Sequence, residues 1–514
     1  MNGRASTGLG WFLAIVAALA SATVATGAAE TTLLSAVKAG DRDAAAVLVG
    51  TEGRVDIDAR EPDGMAALHW AVRRGDTEMV DLLVRAGANV NAVTRYGVTP
   101  LSLAAREGHA ELLERLLDAG GDPEAAERAL SEGQTLAMLA ARTGSVPALR
   151  ALAGRGALDV HARERRTETT ALMWAALADR AAAVAFLAEA GADLDARSRL
   201  TDYPHLPNGV LRTGLEEGVS FVGQTPLQKG GWTALMYAAR QGAAGATRAL
   251  AEAGADLDLV DPLGASGLSL AIINGHWNVL RVLLDAGANP NVADSTGMTP
   301  LYAAVDFHTL PDTYGRPAPK PRVVAGSVDA VRLLLETGAD PDARLVRRTL
   351  RRQYTGGDGR LGEGATALMR AARTGDVVMM RLLLEAGADA TLSQTNGNTA
   401  LLLAAGAVRG DPGDADRVAV GQAIEAVELC LQAAGDINLA NAQGSTALHL
   451  AAGNAGAAEM IRFLLDRGAR PDVVDERGRT PLDVALAADE VEEGAVASLR
   501  QVAAEPQDQP GSRR

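Results

Sequence analysis

Apolar residues along this chain fall in short runs of helical spacing, separated by a glycine and a polar stretch. In Gly64-Met65-Ala66-Ala67-Leu68-His69-Trp70-Ala71-Val72 the glycine closes a tight turn, and a short apolar helix follows. A second run keeps the helical period: Met79, Val80, Leu82 and Leu83 in one copy, and Val279, Leu280, Val282, Leu283 and Leu284 in another. Thr99, Thr233, Thr299 and Thr399 stand where an N-cap is needed, and Pro100 and Pro300 follow at the first helical position. Gly87, Gly287, Gly338, Gly387 and Gly468 end the second helices as C-cap glycines. Stretches such as Ala88-Asn89-Val90-Asn91 then form a short hairpin arm leading to the next turn.

The unit recurs. Variants of Gly-x-Thr-Pro-Leu-x-x-Ala-Ala occur twelve times, most clearly from Gly64, Gly97, Gly231, Gly264, Gly297, Gly397, Gly444 and Gly478. Gly64 to Gly97, Gly231 to Gly264 and Gly264 to Gly297 are each 33 residues apart. That period with that wording resembles the ankyrin repeat. The resemblance implies an all-α solenoid of helix-turn-helix units with short β-hairpin arms, about twelve repeats over residues 30–503. The unit at 30–63 is degenerate, as an N-terminal cap would be. The last, 478–503, has an acidic second half (Asp489, Glu490, Glu492, Glu493) suited to facing water. Residues 504–514 read as a disordered tail.

Four insertions break the period. Residues 200–230 and 345–364 follow hairpin arms and lengthen the fingers on the concave side. Residues 306–327 and 406–423 fall between the two helices of a unit, at the opposite edge. All four are rich in Gly, Pro or charge and are expected to be loops.

Composition narrows the class. Of the 514 residues, 47% are hydrophobic and only 3% aromatic, which suits thin, closely stacked helix pairs. A net charge of −15 argues against a chain built wholly for nucleic acid. Residues 1–29 read as a secretory signal: Arg4 is the one charge, Trp11 to Ala20 is apolar, and Ala25-Thr26-Gly27 offers small residues for cleavage. The other reading is an uncleaved anchor across Leu9 to Ala29. No second stretch of spanning length follows, so the expected mature chain is periplasmic or secreted, without a membrane span, and monomeric. High Ala, Gly and Arg content and the resemblance to signal-bearing bacterial ankyrin proteins point to a bacterial source. The lone Cys430 rules out an intramolecular disulfide and, inside the apolar pattern Val427 to Leu431, reads as a buried thiol.

Catalytic and metal chemistry have little to stand on. Of seven histidines, His69 and His449 fill a helix-1 slot of the repeat and His109 and His276 the slot before helix 2, where the resemblance implies hydrogen bonds that hold the turn. His161, His205 and His308 lie far apart with no metal-ligand spacing. Gly357 to Gly362 matches G-x-G-x-x-G without a preceding strand, so it carries no dinucleotide signal. Paired acids such as Asp193 and Asp195, Asp256 and Asp258, or Asp340 and Asp342 sit in the arms, where they cap turns. No cofactor is expected.

Binding has more. The same position near the end of helix 1 is Arg73, Arg106, Arg142, Arg240 and Arg373, and the resemblance points it into the concave groove. A cation there also meets the negative end of the helix dipole, so stability alone is a competing explanation. Residues 345–364 add Arg347, Arg348, Arg351, Arg352 and Arg360, beside Arg344, with Asp358 as one acid. Trp232 takes the turn-tip position, with Tyr203, His205 and Phe221 in the insertion before it. Trp70, Trp174 and Tyr237 share one helix-1 position and read as packing between repeats. The expectation is a non-catalytic scaffold that binds another protein through its concave groove and finger loops, with an acidic partner surface as the variant that the arginines suggest. Two alternatives stay open: an enzyme or enzyme accessory built around Tyr203, His205 and Trp232, and a binder of an anionic surface or polymer.

Overall fold

Each turn and helix pair of the sequence becomes a helical hairpin in the computed structural model, which describes residues 32–50, 55–200, 230–308, 321–347, 361–407, 418–434, 436–454, 458–488 and 492–504. The chain divides into two compact units, Met1–Arg166 and Thr167–Arg514.

In the first unit the hairpins are α1 (Leu33–Ala39) with α2 (Arg42–Val49), α3 (Ala67–Arg74) with α4 (Thr77–Arg85), and α5 (Pro100–Glu107) with α6 (Ala110–Asp118). An additional helix, α7 (Pro123–Ala129), precedes the last hairpin, α8 (Leu136–Thr143) with α9 (Val146–Gly154). First helices pack on first helices (α1 on α3, α3 on α5, α5 on α8), and second helices pack on second helices. Helix α7 stands where the other repeats carry an arm. Asp122 nucleates it, its Oδ1 accepting from Glu124 N and Ala125 N, with Pro123 at the first position. It closes on the previous turn so tightly that a Cβ on Gly97 would collide with the Ala129 carbonyl.

The second unit continues with α10 (Ala171–Leu177) and α11 (Ala181–Glu189), α12 (Ala234–Gln241) and α13 (Ala244–Glu252), and α14 (Gly267–Ile273) and α15 (Trp277–Asp285). Then come α16 (Pro300–His308) and α17 (Pro321–Glu336), α18 (Ala367–Arg373) and α19 (Val377–Glu385), and α20 (Ala400–Ala405) and α21 (Val420–Ala434). It ends with α22 (Ala447–Ala452) and α23 (Ala458–Asp466), then α24 (Pro481–Leu486) and α25 (Glu493–Ala504). The same two layers form, first helices against first and second against second. Among the described residues the arms carry single antiparallel bridges, Arg60 to Ala66, Val260 to Ser266, Ser393 to Thr399 and Ala440 to Thr446. No helix of the described residues is long and apolar enough to cross a membrane.

The arms are tied by their acids and amides. Asp58 Oδ1 accepts from Asn89 N at 2.9 Å, and Asn91 Oδ1 accepts from Asp122 N at 2.8 Å. In the second unit Asp195 accepts from Asp256 N (3.1 Å), Asp258 from Asn289 N (2.9 Å), Asn291 from Asp340 N (2.7 Å) and Asp342 from Asp389 N (2.8 Å). Three of these bonds step across the insertions at 200–230, 306–327 and 345–364, so each insertion leaves the register of its neighbours unchanged. Arg197 reinforces the first crossing, its Nη1 donating to the carbonyls of Gly231 (2.9 Å) and Val260 (2.8 Å).

Two insertions are not wholly loops, which corrects the expectation for 306–327 and 406–423. Helix α17 starts at Pro321 and runs 16 residues, and α21 starts at Val420 and runs 15, where an ordinary second helix such as α19 has 9. The longer helices bury one more turn: Ser327 ahead of Ala330, Val331 and Leu334 in α17, and Ala423 ahead of Ala426, Val427 and Cys430 in α21. Gly326 lets α17 lie against α15, since a Cβ there would collide with the Trp277 indole. Burial pushes the Cys430 thiol up to about 12, so the thiolate is not available at neutral pH.

The helix-1 histidines do more than hold their own turn. His69 Nδ1 accepts from Ala66 N (3.2 Å), and its Nε2 donates to the Val98 carbonyl of the next repeat (3.2 Å). His449 does the same with Thr446 N (3.2 Å) and the Arg479 carbonyl (3.0 Å). This pattern requires a neutral ring, and burial lowers the affinity of both for a proton below the usual histidine value of 6.5. The unfolded chain therefore takes up these protons first. Stability from both residues is complete above about pH 6.5 and is lost as pH falls toward their folded values. Urea midpoints measured between about pH 7.5 and 5.5 should fall with pH, and H69Q/H449Q should flatten that slope. An unchanged slope in the double variant would show that other groups carry the dependence.

Candidate functional site

The sixth residue after the turn glycine decides what the first-helix face presents. Leu103, Leu139, Leu270 and Leu403 at this position are buried between repeats, and Leu450 is half-buried. Where it is Trp70, Trp174 or Tyr237, the ring overfills that slot and is half-buried, with part of the aromatic surface in solvent.

Cations lie over Trp70, and over Trp232 beside Tyr237. Trp70 and Arg73 lie one turn apart on α3, with the guanidinium 5.2 Å from the ring centre, and Lys38 Nζ from α1 is 4.6 Å from the same ring. Glu61 in the first arm binds both partners, accepting from Trp70 Nε1 at 2.7 Å and from Lys38 Nζ at 2.6 Å. The Lys38 ammonium, and then the indole N–H, hold the Glu61 carboxyl below its ordinary range. In the second unit Trp232 meets Tyr237 edge to face at 5.4 Å, and the Arg240 guanidinium lies 5.0 Å from the Trp232 ring. The finger itself is hooked: Trp232 N donates to Ser198 Oγ (3.1 Å), and Ser198 N donates to the Trp232 carbonyl (3.0 Å). Both clusters therefore have their rings fixed by backbone or indole hydrogen bonds, which is the preorganisation that an aromatic contact residue needs.

The arginines nominated from the repeat position separate into two sets. Arg73, Arg142 and Arg240 are exposed and Arg106 is half-buried. Arg373 is only 2% exposed, so the structure removes it from any contact surface. The preceding repeat has Asp306 at the arginine position, and Asp306 Oδ1 accepts from Arg370 Nε of the next repeat at 2.6 Å. His308 Nδ1 bonds Asp376 close by, and with Thr374, Gly375, Val377, Val378 and Gln422 they line a cavity of about 330 Å³. Of the basic finger, Arg347 is described and exposed. Arg348, Arg351, Arg352, Tyr203 and His205 lie outside the described residues. Among the described residues no group of His, Cys, Asp and Glu could hold a metal ion.

One candidate was not anticipated. Tyr96 is 79% exposed at a finger tip, beside exposed Arg95 and Val93. Its signal was present: it directly precedes Gly97, in the same tip region that nominated Trp232.

Comparison with known proteins gives one consistent picture. A family model described as ankyrin repeats (3 copies) matches residues 33–127, 119–198, 235–313 and 325–411. A second ankyrin-repeats model (many copies) matches 431–485, and the single ankyrin repeat matches 296–344. A putative ankyrin repeat protein of fowlpox virus (strain NVSL) is 30% identical over 135 residues, covering 26% of this chain and 23% of the viral protein. The chain thus spans about a quarter of the length of that relative. Among solved structures, the human ASB11 ankyrin repeat domain is 23% identical with a TM-score of 0.37, covering 52% of this chain and 96% of that one. The ankyrin repeat domain of Bcl-3, a member of the IkappaB family, is 26% identical with a TM-score of 0.36, covering 51% and 98%.

The buried Asp306–Arg370 pair has a measurable consequence. Asp306→Ala leaves a buried guanidinium short of its carboxylate and should cost about 3 kcal/mol. Adding Arg370→Leu, the residue type found there at Leu103, Leu139, Leu270 and Leu403, should recover most of that loss in urea titrations. Failure of the double variant to recover would place the cost elsewhere.

Proposed function

The chain belongs to the ankyrin-repeat family, and we propose that it is a non-catalytic scaffold that binds another protein through its first-helix face and finger tips. Ankyrin repeats are generally protein–protein interaction modules, so the finer question is which surface this chain uses. The observation that supports the reading is the pair of aromatic–cation clusters, Trp70 with Arg73 and Lys38, and Trp232 with Tyr237 and Arg240. Trp70 and Tyr237 stand where several other repeats carry a buried leucine. The ring is held in place and partly left in solvent, as a binding anchor is. The accompanying arginines favour a partner with an acidic surface, because charge of opposite sign speeds encounter and sets orientation. The basic finger of 345–364 would extend the same preference. Both ring nitrogens of His69 and His449 are committed to backbone groups, which leaves these histidines to structure.

We also propose export to a bacterial periplasm or beyond, on the composition of residues 1–29. Mass spectrometry of the protein from its native source should find a mature N-terminus near Ala28 to Glu30. An intact Met1 end in the membrane fraction would instead favour the uncleaved anchor.

The binding reading is tested by capture from the native envelope fraction, followed by affinity measurement on the partner obtained. Trp232→Ala should weaken binding by about 2 kcal/mol, roughly thirtyfold. Arg240→Glu should slow association most at low salt, since a rim charge acts mainly on encounter. Deletion of 348–360 should weaken capture further if the basic finger takes part. Undiminished affinity in the Trp232 and Arg240 variants would move the interface elsewhere.

A further inference from the structure

The first unit places three arginines in a row of fixed spacing. Arg73, Arg106 and Arg142 are the penultimate residues of α3, α5 and α8, and these helices pack side by side in that order. Packed helices stand about 8–10 Å apart, so successive guanidinium stems leave the surface at about that interval. The face around them is cationic: Arg74 adjoins the row, and Glu107 is the single acid within the three helices. Arg106 makes no hydrogen bond or ion pair among the described residues. Trp70 lies at the Arg73 end of the row with part of its ring in solvent.

A ligand that meets all three arginines at once must present carboxylates on one side at the same interval. An α-helix lying across the repeats advances about 5.4 Å per turn, so one turn falls short of the interval and two turns, about 10.8 Å, overshoot it. A β-strand returns to the same side every second residue, about 6.6 Å, and its third residue points away. A polyproline II segment has three residues per turn and rises about 3.1 Å per residue, which puts every third side chain on one side at about 9.3 Å. That matches the row in both spacing and direction. Proline rings also pack well against an exposed indole, which Trp70 supplies.

We propose that the first unit binds an acidic polyproline II segment of a partner protein, with a carboxylate at every third position seated on Arg73, Arg106 and Arg142. The inference rests on the acidic-partner reading above and narrows it to a conformation and a register.

Synthetic peptides distinguish the two. The probe is a (Glu-Pro-Pro) repeat of four units, compared with a Glu-Pro repeat of equal charge and with a (Lys-Pro-Pro) repeat, by fluorescence anisotropy on the full-length chain. The Glu-Pro-Pro peptide should bind about tenfold tighter than the Glu-Pro peptide, since each exposed ion pair adds at most a few-fold. Binding should weaken as salt rises, and the lysine peptide should not compete. R73E/R142E should abolish the preference while leaving the thermal unfolding profile in place. Arg248→Glu, at an exposed position of second-layer helix α13 in the other unit, should leave it unchanged. Equal affinity for the two acidic peptides would overturn the register and leave an acidic partner standing. No binding of either peptide would overturn the inference and count against the acidic-partner reading as well.

Discussion

A helical hairpin of this size cannot hide its own apolar side. Each first helix here is six to nine residues long, and most of its residues are buried only because the next hairpin covers them. Stability is therefore lent between neighbours, one contact surface at a time, and no central core exists for the rest to arrange itself around. The other features follow from keeping that mutual cover in register. Turn glycines bring successive arms within touching distance, threonines start the first helices, and the arm carboxylates and amides tie each repeat to the one after it.

Capping too is shared between repeats. Helix α13 begins at an alanine that cannot cap, and the missing acceptor comes from the preceding repeat, where Asp179 Oδ1 takes the Ala246 N–H at 2.7 Å. Asp179 holds a left-handed backbone (φ 54°) at a position where other units place glycine. Its strain is the cost of reaching across. His69 and His449 likewise spend one ring nitrogen at home and the other next door. A residue that looks local in one repeat often completes its bonding in another.

This shared bonding explains what was legible in the amino-acid sequence and what was not. Helix starts, helix ends and arms could be read because their signals sit within a few residues of one another: Thr99 before Pro100, Gly87 after Leu83, Asn89 beside Asn91. The first-turn extension of α17 could not, because it depends on Gly326 meeting Trp277 from another repeat. Arg373 holds the same repeat position as Arg73 yet is buried, and the pair beside it on the same helix, Arg370 with Asp306, joins residues 64 apart in the chain. Position within the repeat was readable; the company each position keeps was not.

The bond from Asp195 to Asp256 has a consequence for the lineage of such proteins. It joins two arms directly, whatever the length of chain between them, and lengthening a tether costs only about 0.6 kcal/mol per doubling. Segments at that junction can grow, shrink or be exchanged over generations while the scaffold on either side stays folded. Variation is thus channelled to the rim, where a new specificity can be tried without risking collapse of the whole.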